Sequence, residues 1–139
     1  MQSSARYEGE ASMAATARDT ATDDAARLLF DRAWADYATA ARHVRLSLRW
    51  AQTAAADRQQ AAQPPKPNAS RRGAGAEDTA TKEQLEARAE RSLAISQAHA
   101  ERAERRATRA AETSARAAGN GAPRNNQRRR SEAAPVSAE

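Results

Sequence analysis

Residues 28–50 read LLFDRAWADYATAARHVRLSLRW, and this stretch holds nine of the sixteen apolar residues of the chain that are not alanine. Any packed surface must therefore use it. Placed on a helix, Leu29, Phe30, Ala33, Trp34, Tyr37, Ala40, Ala41, Val44 and Leu48 gather into one apolar band roughly 140° wide. Arg42, Arg45 and Arg49 fall together on the flank, with Arg27 and Asp31 on the same side. Val44, Leu46 and Leu48 also alternate with Arg45, Ser47 and Arg49, which is a strand pattern. The chain offers no second segment with which such a strand would pair, so the helix is preferred.

Working outward from this band, Thr20 or Thr22 would serve as the N-cap. Asp23 and Asp24 would then lie in the first turn, where the helix dipole favours negative charge. The apolar steps continue through Ala51 and Ala55 and helix formers persist to Ala62, giving a helix over 20–62. Pro64, Pro65 and Pro67 forbid its continuation. Residues 63–77, with these prolines and Gly73 and Gly75, read as an extended linker. Residues 1–19 show no sustained period and are expected to form a disordered arm.

A second helical segment spans 78–118. Thr81 and Gln84 have the capping-box spacing at its start, and Gly119 offers a stop at its end. Its seam is made almost entirely of small residues: Ala89, Leu93, Ser96, Ala100, Ala103, Ala107, Ala110, Ser114 and Ala117. Such a seam permits close helix approach, either antiparallel within the chain or in a self-associating coiled coil. Glu101 with Arg105, and Glu112 with Arg116, have the favourable i,i+4 order. The tail, 119–139, holds Pro123 and Pro135 and reads as disordered and basic. The expectation is an all-α chain: two long helices, a Pro/Gly linker and disordered termini.

Composition agrees with long helices and thin seams. Alanine supplies 39 of 139 residues, whereas Leu, Ile, Val and Phe together supply ten. Ten is well under the roughly one-fifth share below which disorder becomes the leading expectation. A buried methyl group contributes about 0.8 kcal/mol, against about 1–2 kcal/mol of backbone entropy for each ordered residue. Alanine and arginine are nonetheless among the best helix formers. An alanine- and arginine-heavy composition also follows from GC-rich codons, which suggests a bacterial accessory protein.

The chain has no cysteine, so thiolate chemistry and disulfides are excluded. His43 and His99 are the only histidines, too few for a recognisable zinc site. No phosphate-binding glycine loop or nucleophile elbow occurs, and carboxylates alternate with arginines on polar surfaces. No catalytic residue, metal or cofactor is expected. No apolar run approaches the roughly 18 residues of a membrane span, and no signal pattern opens the chain, so the cytoplasm is the expected location.

The charge carries the remaining functional signal. The net charge is +5, and arginine supplies 21 of the 23 basic residues. Residues 1–60 are neutral overall, so the excess lies in the second part of the chain. Arg124, Arg128, Arg129 and Arg130 in the tail, with Arg102, Arg105, Arg106 and Arg109 on the second helix, form a cationic set suited to displacing counterions from a nucleic-acid backbone. Arg116 extends the set. Contacts of this kind are non-specific and salt-dependent. Nothing aromatic in the tail offers base stacking. A second expectation is a helical module that binds a protein partner or a second copy of itself through Leu29, Phe30, Trp34, Tyr37, Val44 and Leu48. A membrane surface fits less well, because Asp31 and Asp36 oppose an anionic interface and Leu28, Leu46 and Trp50 leave the main band.

Overall fold

The computed structural model describes residues 3–64 and 80–121. Three helices make up this structure: α1 (Ser4–Thr20), α2 (Asp24–Ala62) and α3 (Lys82–Gly121). Most of the expected 63–77 linker and of the 119–139 tail lies outside the described residues.

The first correction concerns the N-terminal arm, which is helical. α1 buries Tyr7, Ala11 and Ala14, positions that recur at the spacing of one helical face. One tyrosine and two alanines are too sparse a signal to stand out among the polar residues between them. The start of α2 also shifts. Asp23, rather than Thr20 or Thr22, is the cap, accepting the Ala25 backbone N–H at 3.3 Å. Thr20 instead turns its hydroxyl back to the Thr16 carbonyl at 3.0 Å, closing the end of α1. The capping box of α3 forms as its spacing predicts. Gln84 N–H donates to Thr81 Oγ1 at 3.2 Å, and Thr81 N–H donates to Gln84 Oε1 at 2.9 Å. α3 runs past Gly119 to Gly121, since no described glycine takes the positive φ that a left-handed cap requires.

The described residues fall into two compact units, 3–42 with 102–121, and 43–64 with 80–101. In the first unit, α1 joins the opening part of α2 and the closing part of α3. Asp36 of α2 meets Arg106 and Arg109 of α3, and this pairing sets an antiparallel register. In that register Ala26, Ala33 and Ala40 fall level with Ala117, Ala110 and Ala103, each at most 4% exposed. Small side chains repeating every seven residues on both helices allow the backbones to approach closely. The large rings stand beside this seam rather than in it. Tyr37 is buried, Phe30 is half-buried and Trp34 is 40% exposed.

The second unit is an antiparallel helical hairpin from the rest of α2 and α3. As the number rises from His43 through Ser47 to Asp57, the partner falls from His99 through Ser96 to Arg88. Its buried positions are Val44, Ala54 and Asp57 on α2, with Leu85, Ala89, Ser92 and Ser96 on α3.

Candidate nucleic-acid interface

The arginines of α3 divide by their position around the helix. At 3.6 residues per turn, Arg88, Arg91, Arg102, Arg105, Arg106, Arg109 and Arg116 fall on one flank of the small-residue seam. Glu83, Glu86, Glu90, Glu101 and Glu104 fall on the opposite flank, while Glu112 lies on the outer face beside Arg105. All thirteen side chains are exposed. The i,i+4 spacing of Glu and Arg hides this separation when the sequence is read linearly; a helical wheel of 82–121 reveals it.

Within the first unit the basic flank does two kinds of work. Arg109 grips Asp36 with two donors, Nε to Oδ2 at 2.8 Å and Nη2 to Oδ1 at 2.6 Å. Arg106 Nη1 adds a third bond to Oδ1 at 3.0 Å. The Arg109 guanidinium, helped by Arg106, holds the Asp36 carboxyl below the usual carboxylate range, against the upward push of burial. Arg106 and Arg109 are therefore committed to the fold as well as presented to solvent. Among the described residues, Arg102, Arg105 and Arg116 make no such bond, and the expected Glu101–Arg105 and Glu112–Arg116 ion pairs do not form. In the second unit Arg88 repeats the bidentate grip on Asp57, at 2.9 and 2.7 Å, and lowers the carboxyl of Asp57. Arg124, Arg128, Arg129 and Arg130 lie outside the described residues.

The apolar band of α2 is largely spent inside the chain. Tyr37 and Val44 are buried, and Leu29 and Phe30 are half-buried. Burial raises the Tyr37 hydroxyl above its ordinary pKa, and Glu10 pushes it the same way. Trp34 and Leu48, at 40% and 49%, remain exposed, as does Leu28 at 54%. The guanidinium of Arg18 lies 5.6 Å over the Trp34 ring while donating to Asp31 at 2.9 Å. Part of the exposed indole is thereby screened by a cation from α1. Among the described residues no group of three or more histidines or acids is placed to hold a metal ion. No helix among them is long and apolar enough to cross a membrane.

Fold and flank together define a class: an all-α protein with a charge-segregated helix. The sequence matches no protein family, no curated protein and no solved structure.

Proposed function

We propose that the protein is a small, non-enzymatic, cytoplasmic accessory protein that contacts nucleic-acid backbones through the arginine flank of α3. Arg102, Arg105 and Arg116 are its principal contacts, with Arg106 and Arg109 beside them and Arg124, Arg128, Arg129 and Arg130 as an extension along the tail. The observation that supports this reading is the segregation of charge around α3. A uniformly mixed surface would bring carboxylates against a polyanion together with each arginine. Here five of the six glutamates of α3 fall on the other flank, with only Glu112 beside Arg105, so binding need not bring most of them against phosphate. Arginine suits the task because its planar fork of donors matches phosphate oxygens.

The test is the triple change Arg102→Ala, Arg105→Ala and Arg116→Ala, none of which removes an ion pair among the described residues. Affinity for duplex DNA or for RNA should fall alike across unrelated sequences. The log–log salt slope should lose about one unit for each phosphate contact removed, while helicity stays unchanged. An unchanged slope would refute the reading.

A second reading, attachment to a protein partner or a second copy through α2, is favoured only by the exposure of Leu28, Trp34 and Leu48. Concentration-dependent mass that is abolished by Leu48→Glu would support it.

A further inference from the structure

The basic flank of α3 is interrupted. Between Arg109 and Arg116, residues 110–115 carry no basic side chain. At about 1.5 Å of rise per residue the interruption extends roughly 10 Å along the helix axis. The antiparallel register of the first unit brings an arginine of α2 to the same place. Ala33 is level with Ala110, so Arg32 falls between the levels of Arg109 and Thr113.

There Arg32 lines an open cleft of about 370 Å³ together with Ala35, Asp36, Arg109 and Thr113. At about 30 Å³ per water this is the space of roughly ten waters, ample for a phosphate group. The polar side chains around it are already engaged, with one exception. Thr113 spends its hydroxyl proton on the Arg109 carbonyl at 2.8 Å. Asp36 accepts from Arg109 Nε and Nη2 and from Arg106 Nη1, which orients the Arg109 guanidinium and leaves its Nη1 unbonded among the described residues. The exception is Arg32, which is exposed and makes no hydrogen bond or ion pair among the described residues. Asp36, at the i+4 spacing that suits a local pair, is held by α3 instead. Asp31 is held by Arg18 of α1 at 2.9 Å.

We infer that this cleft is a phosphate seat, in which Arg32 of α2 and Arg109 of α3 hold one phosphodiester of a nucleic-acid backbone between the two helices. The seat rests on the reading of the α3 flank as the nucleic-acid contact, and it extends that contact to α2. Two guanidiniums, Arg32 and Arg109, line the cleft with one carboxylate, Asp36, and Arg106 bonds that same carboxylate. Positive charge is therefore left over. Guanidinium forks approaching from two helices match the several acceptor oxygens of a phosphate. Asp36 fixes Arg109 before any ligand arrives, so Arg32 is the side chain that binding must order. The seat reads backbone and not bases, so it adds affinity without sequence preference.

The experiment measures the salt dependence of binding to a short duplex DNA for the full chain, for Arg32→Gln and for Arg6→Gln. Arg6 is an exposed arginine of α1 that lines a different cleft, with Tyr7, Tyr37 and Glu104, so its loss removes the same charge away from the seat. Arg32→Gln should lower the magnitude of the log–log salt slope by about one unit, and Arg6→Gln should leave it unchanged. Both variants should keep the helicity of the wild type, since neither side chain bonds another described residue. In nuclear magnetic resonance spectra of the wild type, the Nε–H signals of Arg32 and Arg109 should shift as the DNA is added. No binding by the wild type even at low salt would refute the α3 reading, and the seat with it. Wild-type binding with a slope that Arg32→Gln does not change would overturn the seat alone. So would equal losses from the two variants, which would mark a response to net charge, or an Arg32 signal that stays in place at saturating DNA.

Discussion

The two units use the same pair of helices and the same seam of small residues, yet they secure that seam differently. In the first, a third helix joins the pair. Tyr7 of α1 and Tyr37 of α2 are both buried, as are the alanines of the three levels. In the second, no third described helix belongs to the unit, and polar contacts replace apolar cover. Ser92, Ser96 and Asp57 are buried there, and the histidine and serine pairs bridge the helices. Apolar burial is non-directional and scales with area, whereas hydrogen bonds exchange with water and contribute only about 0.5–1.5 kcal/mol net each. Directional contacts fix the register of a hairpin without adding much stability. The first unit should therefore hold the stability of the protein, and the second should open first.

The largest test of this contrast is Tyr37→Ala. Removing a buried ring costs about 3–5 kcal/mol, enough to unfold a thinly cored protein when ordinary domains hold only about 5–15 kcal/mol. Val44→Ala, the corresponding loss in the hairpin, should cost about 2 kcal/mol. Denaturant midpoints should rank the two in that order, with Trp34→Ala below both because its ring is already exposed. A reversed order would assign the main core to the hairpin.

Next in size is overpacking of the seam. Ala40 is fully buried and level with Ala103, so Ala40→Leu should force the helices apart at a cost of about 1–3 kcal/mol. Ala54→Leu, in the hairpin, should be milder, since two helices can separate without displacing a third. Thermal unfolding of both variants sharpens the comparison, and equal losses would show that α1 adds no constraint.

The smallest effect concerns the carboxylates. Asp36 and Asp57 both have lowered pKa values, so each contributes stability above its unfolded value near 4, and that stability is lost as pH falls through the folded value. Asp36→Asn should flatten the acid limb of the stability curve below about pH 4. Asp57→Asn should flatten it too, but in the exchange of residues 43–62 and 82–101 alone. An acid limb that neither variant alters would mean that the two ion pairs contribute nothing measurable.

Much of the fold was legible in the sequence. The all-α class, the capping box at Thr81 and Gln84, and the α3 seam from Ala89 to Ala117 follow from spacing and from side-chain size. Every residue expected in that seam is buried or half-buried. α1 was not legible, because Tyr7, Ala11 and Ala14 form a face only where another helix covers them. The basic residues of the candidate interface were legible as a list and not as a surface. Sequence proximity joined Arg102, Arg105, Arg106 and Arg109, while the structure divides them into two that grip Asp36 and two that do not.

The sequence by itself determined that this chain is helical, where α3 begins, and that its seams are narrow. Those properties rest on local propensity, on hydrogen bonds three or four residues apart, and on the period of small side chains. Tertiary structure alone decided which edge of the Leu28–Trp50 band is buried. The closest approach of two helices selects the smallest side chains, so Ala33 and Ala40 displaced Trp34 and Leu48 from the centre of the contact. Only tertiary structure, too, could bring His43 to His99 and Asp36 to Arg109. These partners lie 56 and 73 residues apart, and no local rule links them.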